Sequence, residues 1–230
     1  MELQKTIKFK VGELRKGKQE LIDMALNNSL NSIKDFMELS LKNKTTSNTK
    51  LHHLGYKKII TKYNLPACIV HQARNKASEI IQSWKSNKRR LHKNIPKPEP
   101  RALRIRFDNV VFKVIKTENR EFQFWASILV AKRKRIYIPL IVNSDYQKNY
   151  INNLINKKYK QGSADLVKKE EDYFVHIVLK KEVEFKKEQS YTPIGIDIGI
   201  NNLAVINING KPKFFNGKRA IATKKHFNKI

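Results

Sequence analysis

The 230 residues suffice for one large domain or two small ones, and with 40% hydrophobic residues they can bury a real core. Lysine and arginine number 48 against 20 aspartate and glutamate, a formal net charge of +28. Self-repulsion on that scale opposes compaction and points to a polyanionic partner, nucleic acid or an anionic membrane. A membrane-spanning helix takes about 18–20 apolar residues, which no stretch supplies. Residues 1–10 mix charged with apolar side chains and lack a signal-peptide core, so an intracellular, cytoplasmic protein is expected.

In chain order, residues 5–11 (KTIKFKV) alternate with period two and predict a strand. Residues 18–43 predict a helix, because Ile22, Leu26, Leu30, Ile33, Met37 and Leu41 recur at three- and four-residue spacing. A polar break at 45–49 precedes a short helix over 51–63, and Pro66 opens a longer one at a first-turn position that tolerates proline. The apolar stripe of that helix runs from Ile69 to Trp84 and passes into Lys85, Lys88, Arg89 and Arg90. The helix dipole favours cations there, but four in six residues exceeds what capping requires. The single cysteine, Cys68, excludes an internal disulfide and a Cys-x-x-Cys zinc site, and among Ala67, Ile69 and Val70 it reads as a core residue.

Pro96, Pro98 and Pro100 mark a linker, after which the pattern turns to β. Strands are predicted over 103–107, 110–116, 122–130, 135–142, 164–168 and 173–181. One helix interrupts them, opened by Ser144 with Gln147 as a capping box and carrying Tyr150, Ile151, Leu154 and Ile155 on its apolar face. Several short antiparallel strands of this kind predict a small barrel, which strand 5–11 would join, making the helices an insertion. The fold class is therefore α+β. A charged connector over 186–192 leads to a last, short segment.

That segment carries the chemistry. In residues 194–206, IGIDIGINNLAVI, Ile194, Ile196 and Ile198 flank Gly195, Asp197 and Gly199, which reads as a buried strand delivering one carboxylate. Strand 203–209, the turn Asn209-Gly210 and strand 213–215 follow, then the start of a helix. A buried Asp is costly unless paired or metal-bound, so Asp197 reads either as hydrogen-bonded to a neighbouring turn or as a divalent-metal ligand. Two-metal phosphodiester cleavage needs several carboxylates around ions about 3.5–4 Å apart, and one Asp does not suffice.

The run Gly195-Ile196-Asp197-Ile198-Gly199-Ile200-Asn201-Asn202-Leu203-Ala204 resembles the first RuvC motif of the TnpB transposon nucleases, relatives of type V CRISPR effectors. Leu65-Pro66 opening a helix with Gln72, Ala73 and Trp84 is similar to that family's recognition lobe; residues 162–179 resemble its wedge hairpin, and Phe214-Phe215-Asn216-Gly217 the segment after its RuvC hairpin. The resemblance implies a first strand of a wedge barrel in 1–15, an inserted helical lobe in 16–95, the wedge β-barrel in 96–190 and a partial RNase H-like domain in 191–230. It implies a guide RNA and target DNA as partners, no membrane, RNA-guided DNA cleavage with Mg²⁺, and Asp197 as the first catalytic, metal-binding aspartate. In such systems protein grips backbone and shape while base pairing reads sequence.

The family's later catalytic Glu and Asp and its zinc-binding cysteines have no counterpart here, since no Asp or Glu follows Asp197 and Cys68 is the only cysteine. The expectation is a chain that does not cut DNA alone, whether a decayed gene copy, a split or frame-shifted reading frame, or a fragment. A non-catalytic RNA- or DNA-binding remnant or repressor is the alternative. A phosphate loop of the sugar-kinase and actin-like ATPases also uses Gly-x-Asp-x-Gly, but Ile200, Asn201 and Asn202 stand where Ser or Thr is needed.

Two basic runs are the candidate phosphate contacts: Lys85, Lys88, Arg89, Arg90, Arg101, Arg104 and Arg106 around the proline linker, and Lys132, Arg133, Lys134 and Arg135 in a hairpin turn. Each run reads equally as a solvated turn or helix end. Phe122, Phe124 and Trp125 read as barrel core or as base-stacking platforms. The six histidines show no ligand spacing, and no zinc site is expected.

Overall fold

The computed structural model describes residues 2–92, 94–118, 121–183, 194–199 and 202–227, the last four by their backbone alone. It falls into two compact units, residues 1–183 and 184–230. The connector expected over 186–192 lies outside the described residues, as do Ile200 and Asn201.

The first unit opens with β1 (Glu2–Val11), followed by α1 (Lys16–Lys42), α2 (Asn48–Tyr63) and α3 (Ala67–Leu91). On α1, Ile22, Leu26, Ile33, Phe36 and Met37 are buried at the spacing the sequence shows, and the buried Ser32 and Ser40 hydroxyls donate to the Asn28 and Thr45 carbonyls. Ser47 caps α2 by accepting from Lys50 N, and Asn64 ends it in the left-handed conformation. Pro66 stands one residue ahead of α3, at the N-cap, with its carbonyl accepting from Ile69 and Val70 N–H.

The strands are β2 (Arg104–Phe107), β3 (Lys113–Lys116), β4 (Phe124–Ala131), β5 (Lys134–Ile141), β6 (Lys160–Lys169) and β7 (Asp172–Glu182), with α4 (Asp145–Ile155) between β5 and β6. They form one antiparallel sheet with β1, in the order β2-β6-β7-β1-β5-β4-β3. β1 thus lies at the centre and the three helices are an insertion, as the sequence suggests. Ser144 Oγ accepts from Gln147 N, while Gln147 reaches back to Asn143 N and donates to the Lys8 carbonyl of β1.

The expected barrel is corrected to a curled, open sheet. β2 and β3 are its two edges and no ladder joins them. Seven flat strands would hold those edges about 29 Å apart. The chain from Phe107 to Lys113 spans at most about 20 Å, so the sheet must curl. Across the gap the Phe107 and Phe112 rings stack at 6.3 Å, and Gln161 of β6 donates to the Phe112 carbonyl at 2.8 Å. The concave face buries Ile7, Phe9, Ile105, Phe124, Ile138, Val175 and Ile177 in one hydrophobic core with residues of all three inserted helices.

A second correction concerns strand 110–116, which begins only at Lys113. Asp108 Oδ1 accepts from Val110 and Val111 N–H, and this side-chain turn outcompetes the β preference of the two valines. Val110 is left exposed.

The second unit is a three-stranded antiparallel sheet of β8 (Ile194–Asp197), β9 (Asn202–Ile208) and β10 (Lys211–Asn216), in the order β10-β9-β8, followed by α5 (Lys218–Phe227). Asn209 and Gly210 both have positive φ, the backbone of a tight hairpin turn. Asn216 Oδ1 accepts from Lys218 N at the start of α5.

Candidate nucleic-acid interface and the Asp197 strand

Asp197 pairs with Val205 of β9, which pairs in turn with Phe214 of β10, so all three share one face of the small sheet. The other face carries Ile194, Ile196, Ile206 and Ile208. The expectation of a buried strand is corrected: every residue of β8 is exposed, Asp197 included. The cause is coverage, because Ile194, Ile196, Phe214 and Phe215 also stand in solvent. Desolvation therefore places no demand on Asp197 to be paired. Among the described residues no three His, Cys, Asp or Glu side chains gather where an ion could sit. A lone exposed carboxylate does not make a two-metal cradle.

The basic residues divide by their partners. Arg104 and Arg106 of β2 both bind the carboxylate of Asp165 on β6, whose side chain is only 6% exposed. Asp165 holds the Arg104 guanidinium pKa above its ordinary value. These arginines are about half exposed, so part of each charge neutralises a buried anion and part faces outward. Together with Arg101 and Lys76 they line a cavity of ≈ 260 Å³ between α1, α3 and β2. Arg101 also pairs with exposed Glu99 at 2.8 Å.

Along α3 the same wall continues past Trp84, whose indole N–H donates to the Ile95 carbonyl and ties the proline segment to the helix. Lys85, Lys88, Arg89 and Arg90 follow in the last turns; the latter three are exposed, and Lys88 lies 5.7 Å from the Trp84 ring. None of the four pairs with an acidic group among the described residues.

The second run forms the β4–β5 hairpin, with Lys132 and Arg133 at the turn and Arg133 at positive φ. Lys132 N donates to the Asn64 carbonyl between α2 and α3, which places the hairpin turn near the start of α3. The helical rise from there to Lys88 is about 30 Å, so the two runs do not converge on one point. Arg135 is drawn into structure, donating to the Val111 carbonyl and to Ser127 Oγ.

Sequence spacing concealed a cluster between α2 and α3. His52 stacks on Tyr56 at 4.4 Å, its ring lies 5.6 Å from that of His71, and Arg74 Nη1 is 3.2 Å from His52 Nδ1. Burial lowers the His71 pKa, with Arg74 and His52 pushing the same way. Burial, then Arg104, lowers that of His176, the cross-strand partner of Asp165. Neither Nε2 atom has a hydrogen-bond partner among the described residues.

An unfolded histidine takes its proton near pH 6.5, so below that the unfolded chain binds protons the native state refuses. The stabilisation is fully present above about pH 6.5 and is lost as pH falls toward the lower folded values. The urea midpoint should therefore decline below about pH 6.5, and His71→Gln with His176→Gln should flatten that decline. A wild-type midpoint constant down to about pH 5 would refute it.

No protein-family model and no curated protein sequence matches the chain. Among solved structures, a cryo-EM structure of the Cas12f1–sgRNA–target DNA complex is similar, with a TM-score of 0.53 and 14% identity over 92% of this chain and 52% of that one. A cryo-EM structure of a CRISPR–Cas12f ternary complex gives a TM-score of 0.54 and 13% identity over 94% of this chain and 50% of that one. The likeness is one of fold, and the chain spans about half the length of the chains it matches. No helix among the described residues is long and apolar enough to cross a membrane.

Proposed function

We propose that the chain binds nucleic acid as a TnpB-like protein, holding guide RNA and target DNA through its basic surface. The observation that carries this is the net charge of +28 on a chain whose fold is shared with Cas12f chains solved with sgRNA and target DNA. The four α3 cations, which have no acidic partner among the described residues, and the arginine-lined cavity on the same helix suit contacts to a phosphate backbone. The second unit is read as the opening part of an RNase H-like sheet, with Asp197 as the first of its metal-binding carboxylates. With Asp197 the sole carboxylate of β8–α5, the residues present do not fit a Mg²⁺ pair. This polypeptide by itself is therefore read as binding without cutting, and that lone carboxylate favours a non-catalytic binder. Binding and cleavage are separable in this class.

The test is to express the chain with its flanking DNA, purify it and sequence the RNA it protects. One discrete RNA species supports guide binding; only heterogeneous RNA, stripped by moderate salt, refutes it. Magnesium-dependent cleavage by the purified chain, abolished by Asp197→Ala, would overturn the binding-only reading.

A further inference from the structure

The α4 end of the large sheet carries a feature separate from both basic runs. Tyr146 and Tyr150, one turn apart on α4, and Tyr159, just before β6, stand in a column. Ring centroids are 4.8 Å apart between the first two and 5.7 Å between the last two, with the latter planes only 20° from parallel. Lys5 of β1 places its ammonium 4.9 and 5.0 Å from the centroids of Tyr146 and Tyr150 and donates to the Tyr150 hydroxyl. Tyr150 and Tyr159 pack against the hydrophobic core. Tyr146 does not: it is 50% exposed and ends the column.

Tyr159 also lines an opening of ≈ 1040 Å³ between β3 and the start of β6, together with Phe112, Lys113, Lys157, Lys160 and Gln161. The β2 ladder stops at Ala164, and on that side the first residues of β6 have no strand partner among the described residues. Glu2, also in this opening, is paired with Lys180, and Asp108 is engaged by Val110 and Val111 N–H. Lys113 and Lys157 have no ion-pair partner among the described residues. Lys157 adopts φ 57 just past the end of α4, where glycine or asparagine is the usual choice, so its side chain is kept at a cost to the backbone.

We propose that this tyrosine column and the lysine-lined opening beside it form a track for single-stranded nucleic acid. An unpaired base stacks on Tyr146, and the backbone follows Lys157 and Lys113 into the gap between the strands. The proposal rests on the nucleic-acid reading above and assigns it a second surface. Aromatic rings accept any base, which makes such a track tolerant of sequence, whereas a paired base keeps its faces inside the duplex stack.

The full chain would be titrated with a single-stranded RNA of roughly 12 nucleotides carrying 2-aminopurine at each position in turn. Tyr146→Ala should weaken binding about 5- to 150-fold and remove the quenching of at least one 2-aminopurine, with the salt dependence unchanged. Tyr146→Phe should behave as wild type. Lys157→Gly, which keeps the turn, should lower the log–log salt slope by about 0.7. Unaltered affinity and quenching in Tyr146→Ala would overturn the track while leaving nucleic-acid binding in place. A wild-type chain that binds no RNA would overturn both.

Discussion

Replacing Lys85, Lys88, Arg89 and Arg90 together by glutamine is expected to flatten the log–log salt dependence of single-strand binding by about 3 units. Each cation that neutralises a phosphate releases counterions worth about 0.7 of slope on a single strand. These four side chains have no acidic partner within the described chain, so their charge is available to a phosphate. Arg104 and Arg106 should contribute less per residue, because Asp165 already takes part of their charge. The helix dipole complicates the variant: removing cations from the last turns of α3 costs up to about 1 kcal/mol each, so helicity must be checked by circular dichroism. A slope unchanged in a folded variant would leave these residues as an ordinary solvated helix end.

Phe36→Ala should lower stability by about 3–5 kcal/mol. The ring is fully buried on α1 with its edge against Gly55 of α2, which has no side chain to move into the space it would leave. For a unit of this size the loss corresponds to a fall in Tm of roughly 10 °C. Because helices and sheet share one core, Phe36→Ala on the insertion and Ile177→Ala on β7 should both shift a single transition. Two separate transitions, with only one moved by each variant, would show that the inserted helices melt on their own.

Legibility in the sequence followed the range of the forces involved. Helix α3 and its basic end were readable because burial at Ile69, Ala73, Ala77 and Ile81 repeats locally. The Asn209-Gly210 turn was readable because two adjacent residues need positive φ. Sheet closure was not, since the gap between β2 and β3 depends on pairing across the whole unit and leaves no periodic trace. The exposure of Asp197 is illegible for a related reason: an apolar run shows which residues favour burial, not what covers them. The turn at Asp108 left a local signal, a short side-chain acceptor followed by Asn109, which β-branched Val110 and Val111 masked. The His52–His71 contact and the Tyr159 end of the tyrosine column join positions in different elements. The Tyr146–Tyr150 spacing of one helical turn is visible, but in the sequence Tyr150 reads as part of a core-facing stripe, which it joins, and nothing local marks Tyr146 as its exposed neighbour.

The central position of β1 governs how this protein is made on the ribosome. Its long ladder runs to β7, with Glu2 opposite Glu182, so β1 leaves the ribosome about 180 residues ahead of that partner. At translation rates of roughly 5–20 residues per second the delay is roughly 10–40 s. The inserted helices, which pack mainly on one another, can form during that interval, while the edge of β1 that will meet β7 stays open throughout and the edge that will meet β5 stays open until β5 is made. Its alternation of Lys8 and Lys10 with Ile7, Phe9 and Val11 places charge beside each apolar residue, a pattern that discourages nascent chains from pairing with one another during the wait.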